Sequence, residues 1–75
     1  MNLLPGVTSV YRWEGNVTED TETTLLIKVA SETVPALSAR IRELHDYDTP
    51  EIVVLAADAQ TDEAYRSWVR SESMA

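Results

Sequence analysis

The run EIVVLAA, residues 51–57, is apolar on both faces. A strand with one solvated face alternates, so an unalternating run of this length, bounded by turn residues, reads as a strand inside a sheet and covered on at least one side. Such a strand needs neighbours for its backbone and an apolar layer above it, and the chain has 75 residues to supply both. At that size folding buries only about 60 to 65% of the surface that the unfolded chain exposes, so one core stabilises weakly. The sequence contains no cysteine, which excludes disulfides and thiolate zinc sites as reinforcement and leaves association with other chains as the leading support.

The remaining segments read around that run. Val7 to Glu14 (VTSVYRWE) is rich in β-branched and aromatic residues and alternates Tyr11 and Trp13 against Val10 and Arg12, the pattern of a strand. A turn near Gly15 leads to a second strand over Val17 to Val29, making a long hairpin, and Pro5-Gly6 marks a bulge or kink at a sheet edge. Ser31 or Thr33 can cap a helix with Pro35 in its first turn and Val34, Leu37, Ile41 and Leu44 as its apolar stripe, ending near His45. Asp48-Thr49-Pro50 forces a loop, because the residue before proline is pushed out of the helical region. After the strand at 51–57, Asp58 to Gln60 turns the chain and Thr61 can cap a last helix carrying Ala64, Tyr65, Trp68 and Val69 at helical spacing. The order is ββαβα in a single domain, 1–75. The helical crossover makes the second and third strands parallel, so the expected fold is an α+β sandwich with a mixed sheet and helices on one face.

Charge and composition exclude several functions. Thirteen acids against six bases give a formal net charge of −7, which disfavours nucleic acid and anionic membrane as partners. No apolar run is long enough to span a bilayer, and MNLLPGVTS lacks the basic and apolar regions of a signal peptide, so a cytoplasmic location is expected. An enzyme is not expected either. There is no cysteine nucleophile, one histidine with no serine elbow nearby, and no glycine-rich phosphate loop, since Gly6 and Gly15 are the only glycines.

The stretches NLLPGVTSVYRWEG, LLIKVASETVPAL, LHDYDTPEIVVL and AYRSWVR, in this order and spacing, resemble the CutA family of divalent-cation tolerance proteins over practically the whole chain. The resemblance implies a ferredoxin-like fold, here truncated, assembled as a homotrimer similar in outline to PII signalling proteins, with roles in copper tolerance. It also implies that the chain is short at its front, because the family normally begins one strand and one helix earlier, in a segment carrying a cysteine. The family's usual His-Pro-Tyr-Glu is His45-Asp46-Tyr47-Asp48 here.

Two constellations follow. His45 corresponds to a histidine proposed as a copper ligand in the family, and with Asp46 and Asp48, and Glu51 beyond them, it can hold a divalent ion such as Cu or Zn weakly. Soft and borderline ions prefer thiolate or several imidazoles, so by residue chemistry alone a helix-end histidine beside a solvated acidic loop is the more economical reading. Tyr11, Trp13, Lys28, Tyr47, Glu51 and Trp68 match family positions near the cleft between subunits. The aromatic residues suit packing at an interface, and Lys28, following the apolar run Leu25-Leu26-Ile27, calls for a carboxylate such as Glu51. The function expected is that of a small trimeric ion-responsive or ligand-sensing protein. The alternative is a structural or interaction oligomer with no specific metal binding.

In the ferredoxin-like order the family's first strand lies between the strand at 17–29 and the strand at 51–57. Without it a slot opens in the middle of the sheet, and each buried backbone group left unpaired there costs roughly 1 to 3 kcal/mol. The expected repair is direct pairing of the two flanking strands, with an oligomer covering the exposed Ile52, Val54 and Leu55.

Overall fold

The structure is a computed structural model and describes residues 1–45 and 49–74. Its frame is an antiparallel hairpin of β1 (Asn2–Trp13) and β2 (Asn16–Leu26). Trp13 pairs with Asn16, so Glu14 and Gly15 alone make the turn, and both have positive φ, 50° and 81°. That is the geometry of a type I′ turn, whose twist matches that of the flanking strands. Glycine adopts it freely, but Glu14 carries a side chain in the left-handed region, where Asn is better suited. Glu14→Asn is therefore expected to stabilise the hairpin by about 0.5 to 1 kcal/mol, read as a higher midpoint in thermal denaturation.

The strand register slips between Leu4 and Val7, where β1 spends one more residue than β2. The extra residue falls at Pro5-Gly6, with Gly6 at φ 70°, so the expected bulge is present and β1 continues through it to Asn2. Twelve strand residues at about 3.4 Å each account for the longest dimension of the chain, 45 Å. On one face of the ladder, Ser9 donates to Glu22 at 2.8 Å and Tyr11 donates to Asp20.

The chain leaves β2 through Ala30, makes a 3-10 turn at Ser31–Thr33 and enters α1 (Val34–Leu44) with Pro35 in its first turn. Neither Ser31 nor Thr33 caps α1 with its side chain. Thr33 is itself helical, and its amide donates to the Ala30 carbonyl at 2.9 Å, so the tight turn feeds the helix directly. Val34, Leu37 and Ile41 are half-buried, while Leu44 is exposed. The last helix, α2 (Glu63–Ser73), is capped by Asp62 rather than by Thr61. The Asp62 carboxylate accepts from the Tyr65 amide at 2.9 Å, and a charged acceptor at the positive end of the helix dipole outcompetes a hydroxyl one residue earlier. The turn expected at Asp58–Gln60 is present, with Asp58 Oδ1 accepting from the Gln60 amide at 2.8 Å.

One expectation is overturned. The described residues 51–57 pair with no strand, so the sheet is two-stranded and antiparallel, not mixed, and the direct pairing of 51–57 with β2 does not occur. The chain remains α+β, with a hairpin and two helices. In place of that pairing the structure holds an open groove lined by Leu25, Leu26 and Ile27 together with Ile52, Val53 and Val54.

The surface follows from that gap. A folded monomer of 8.4 kDa should expose about 4600 Å², whereas this chain exposes 6656 Å². Among the described residues Ala30 alone is a buried hydrophobic residue, and Leu55 is 84% exposed.

Candidate functional site: an open groove and a small pocket

The groove lined by β2 and residues 51–57 has a volume of about 2320 Å³ and also runs along both helices, from Val34 to Ile41 and from Glu63 to Arg70. Tyr11, Trp13, Lys28 and Glu51, four of the six cleft residues expected from sequence, line it. Trp68 does not. It belongs to a second pocket of about 370 Å³, which it shares with Lys28. Tyr47 lies outside the described residues.

In the small pocket α2 presents Tyr65 and Trp68, with ring centroids 6.0 Å apart and a tilt of 36°. Lys28 lies just past the end of β2, and its ammonium donates to the Asn2 side chain rather than to Glu51. The expected Lys28–Glu51 pair is thus replaced by a link between the start of β1 and the end of β2, and Lys28 is exposed, not partly buried. The reason is register: Asn2 faces Leu26 across the ladder, two residues from Lys28. Asn2, Tyr65 and Glu72 also line the pocket and were not among the expected site residues. Counting back from the turn through one bulge would have placed Asn2 there, and the spacing of Tyr65 and Trp68 puts both on one helix face.

His45 is the C-cap of α1, extended at φ −83° and ψ 142°, with its amide donating to the Ile41 carbonyl at 3.0 Å. It reaches the rim of the groove. Its expected partners Asp46 and Asp48 lie outside the described residues. Among the described residues no three His, Asp or Glu side chains gather into a group able to hold a metal.

Two polar links hold α2 to the segment after β2. Ser73 Oγ accepts from the Ala30 amide at 3.0 Å while donating to the Val69 carbonyl at 2.7 Å. Arg70 donates to Glu32 at 3.0 Å. That guanidinium hydrogen bond, helped by the backbone amide of Glu32 and by the charge of Arg70, holds the Glu32 carboxyl below the usual carboxylate range. A carboxyl with a lowered folded pKa contributes stability that is present above its unfolded pKa and lost as pH falls through the folded one. The helix contact should therefore loosen below the ordinary carboxylate range. Both partners are solvent-exposed, so the effect is small. An NMR titration should show Glu32 titrating higher, near its ordinary value, in Arg70→Gln.

A family model described as CutA1 divalent ion tolerance protein matches residues 1–72. The chain belongs to this family. A CutA divalent-cation tolerance protein of Thermus thermophilus is 42% identical over 73 residues, which are 97% of this chain and 70% of that protein. Human protein CutA is 40% identical over 70 residues, 93% of this chain and 38% of that protein, so the chain spans about two-fifths of the length of its mammalian relatives. The fold is shared with solved structures of the family. The Thermus thermophilus Cut A1 protein gives a TM-score of 0.87 at 44% identity, covering 93% of this chain and 67% of that one. The PII-like protein CutA from Nostoc sp. PCC 7120, in apo form, gives 0.89 at 40% identity, covering 96% and 69%. The CutA likeness makes the described elements a truncated ferredoxin-like α+β fold.

Proposed function

We propose that the chain acts, without catalysing a reaction, as a divalent-ion-responsive CutA protein in the cytoplasm, assembled as a PII-like homotrimer. The observation that carries this reading is the family match over residues 1–72. In it His45, Asp46 and Asp48 hold a copper or zinc ion weakly, as one imidazole and two carboxylates without thiolate would. Tyr11, Trp13, Lys28, Tyr47, Glu51 and Trp68 form the cleft between subunits, where the aromatic rings bury their bodies and Lys28 and Glu51 fix polar contacts. The test is calorimetric titration with Cu(II) and Zn(II). Saturable binding tighter than roughly 10 μM that is lost in His45→Ala supports the ion role, and unchanged binding in that variant removes His45 from it.

The second reading is an interaction oligomer with no specific ion. The exposed apolar residues Val53, Val54 and Leu55 favour it, because contiguous apolar surface marks a contact with other protein. Its signature is a stable assembly whose mass is indifferent to metal.

A further inference from the structure

The small pocket lies where α2 meets the two ends of the hairpin, Asn2 at the start of β1 and Lys28 just past β2. From α2 it takes Tyr65, Trp68 and Glu72, whose helical spacing puts them on one side of the helix. The rings of Tyr65 and Trp68 are 43% and 59% exposed and stand tilted beside each other, which leaves aromatic surface open to a further apolar group. Val29 and Val69, both half-buried, extend that apolar lining. Opposite charges share the same space. Lys28 and Glu72 both line the pocket, yet no ion pair joins them, and neither meets another opposite charge among the described residues. The Lys28 ammonium spends a donor on the Asn2 side chain, which holds it in place, and keeps its other donors. The volume of about 370 Å³ is at the small end of the range for ligand sites, about 300 to 1000 Å³.

We infer that this pocket binds a small zwitterion with an apolar body, of the class of free amino acids with an aromatic or branched side chain. The ligand carboxylate meets Lys28, its ammonium meets Glu72, and its side chain lies against Tyr65 and Trp68. A plain carboxylate or phosphate is a poorer occupant, because it approaches a chain of net charge −7 and meets Glu72 beside Lys28. A plain amine meets Lys28 in the same way. An uncharged apolar ligand would strip water from both charges and replace it with nothing. A ligand that carries both charges satisfies both groups and adds no net charge. Lys28 and Glu72 are exposed, so each charged contact contributes little, and a dissociation constant of about 1 mM is expected. Lys28 and Trp68 also belong to the cleft proposed above, so the inference rests on that reading for the pocket's place in a sensor. Binding itself requires no ion at His45.

The probe is L-phenylalanine, titrated into the full 75-residue chain with a metal chelator present. Two single-charge analogues serve as controls: phenylpropanoate, which lacks the ammonium, and phenethylamine, which lacks the carboxylate. Binding is read by NMR from the indole N–H of Trp68 and the amides of Lys28, Val29 and Val69. L-Phenylalanine should saturate these shifts with a dissociation constant of about 1 mM or tighter, and each analogue should bind about fivefold more weakly. Glu72→Gln should bring L-phenylalanine and phenylpropanoate to equal affinity, and Lys28→Gln should do the same for L-phenylalanine and phenethylamine. Glu72 has no ion-pair partner among the described residues, so its variant leaves the fold intact. His45→Ala should leave the titration unchanged. No saturable shift at Trp68 up to about 20 mM overturns the inference. So does equal binding of the analogues to the unaltered chain, which would mean an apolar site alone, and so does a preference that survives both charge-removing variants. Loss of binding in His45→Ala would move the ligand to the ion site and also overturns it. Metal binding has its own titration, so the ion reading and this one fail separately.

Discussion

The thermal midpoint of the chain should rise with its concentration by roughly 5 to 10 °C per tenfold increase. A tenfold change in free partner is worth about 1.4 kcal/mol per association step, and 1 kcal/mol moves the midpoint of a domain this small by about 4 to 8 °C. The expectation rests on how little the protomer buries. Ala30 is its one buried hydrophobic residue among those described, and an isolated two-stranded hairpin is marginal in water. Neither helix compensates, since the residues of both are exposed or half-buried. In the proposed assembly, stability comes from surface covered by other protomers. Circular dichroism melts over a hundredfold concentration range, with sedimentation to assign mass, check this. A sharp transition at one temperature throughout, with a monomer sedimenting near 8.4 kDa, would show that the protomer stands alone.

Trp13→Ala should weaken assembly by about 3 kcal/mol, more than a hundredfold in the dissociation constant. Trp13 closes the hairpin beside the turn and is 55% exposed in the protomer. Judged within one chain, its truncation is a surface change worth no more than about 0.5 kcal/mol. Judged as an interface anchor it belongs to the residue type that dominates binding energy. The two accounts differ by so much that sedimentation equilibrium of the variant separates them. A dissociation constant within a few-fold of wild type would place Trp13 outside the interface. Trp68, 59% exposed, serves as the comparison, because its ring already has a partner in Tyr65 and loses less on leaving an interface.

The local elements were legible in the sequence because their causes are local. Gly15 demands a turn, Pro5-Gly6 demands a bulge, and alternation through VTSVYRW makes a strand whatever surrounds it. The same holds for α1, whose Pro35 and apolar spacing specify a helix start and a face, and for its end at His45. Caps were less legible. Thr61 and Asp62 are both competent N-caps, and the choice depends on which backbone angle the preceding turn at Asp58–Gln60 delivers.

The candidate site divides along the same line. Residues 2 and 28 meet because one bulge residue sets the register, and Lys28 accordingly bonds Asn2 instead of Glu51. The side chains near His45 that would decide an ion site, Asp46 and Asp48, lie outside the described residues, so the ion reading stands on family membership. The sequence by itself determined the hairpin, the helices and the apolar character of residues 51–57, since each follows from backbone preference and periodicity within a few residues. Whether that last run becomes a strand was decided only by tertiary structure. A strand exists through its neighbour's hydrogen bonds, and beside Ile52–Leu55 the structure holds a groove.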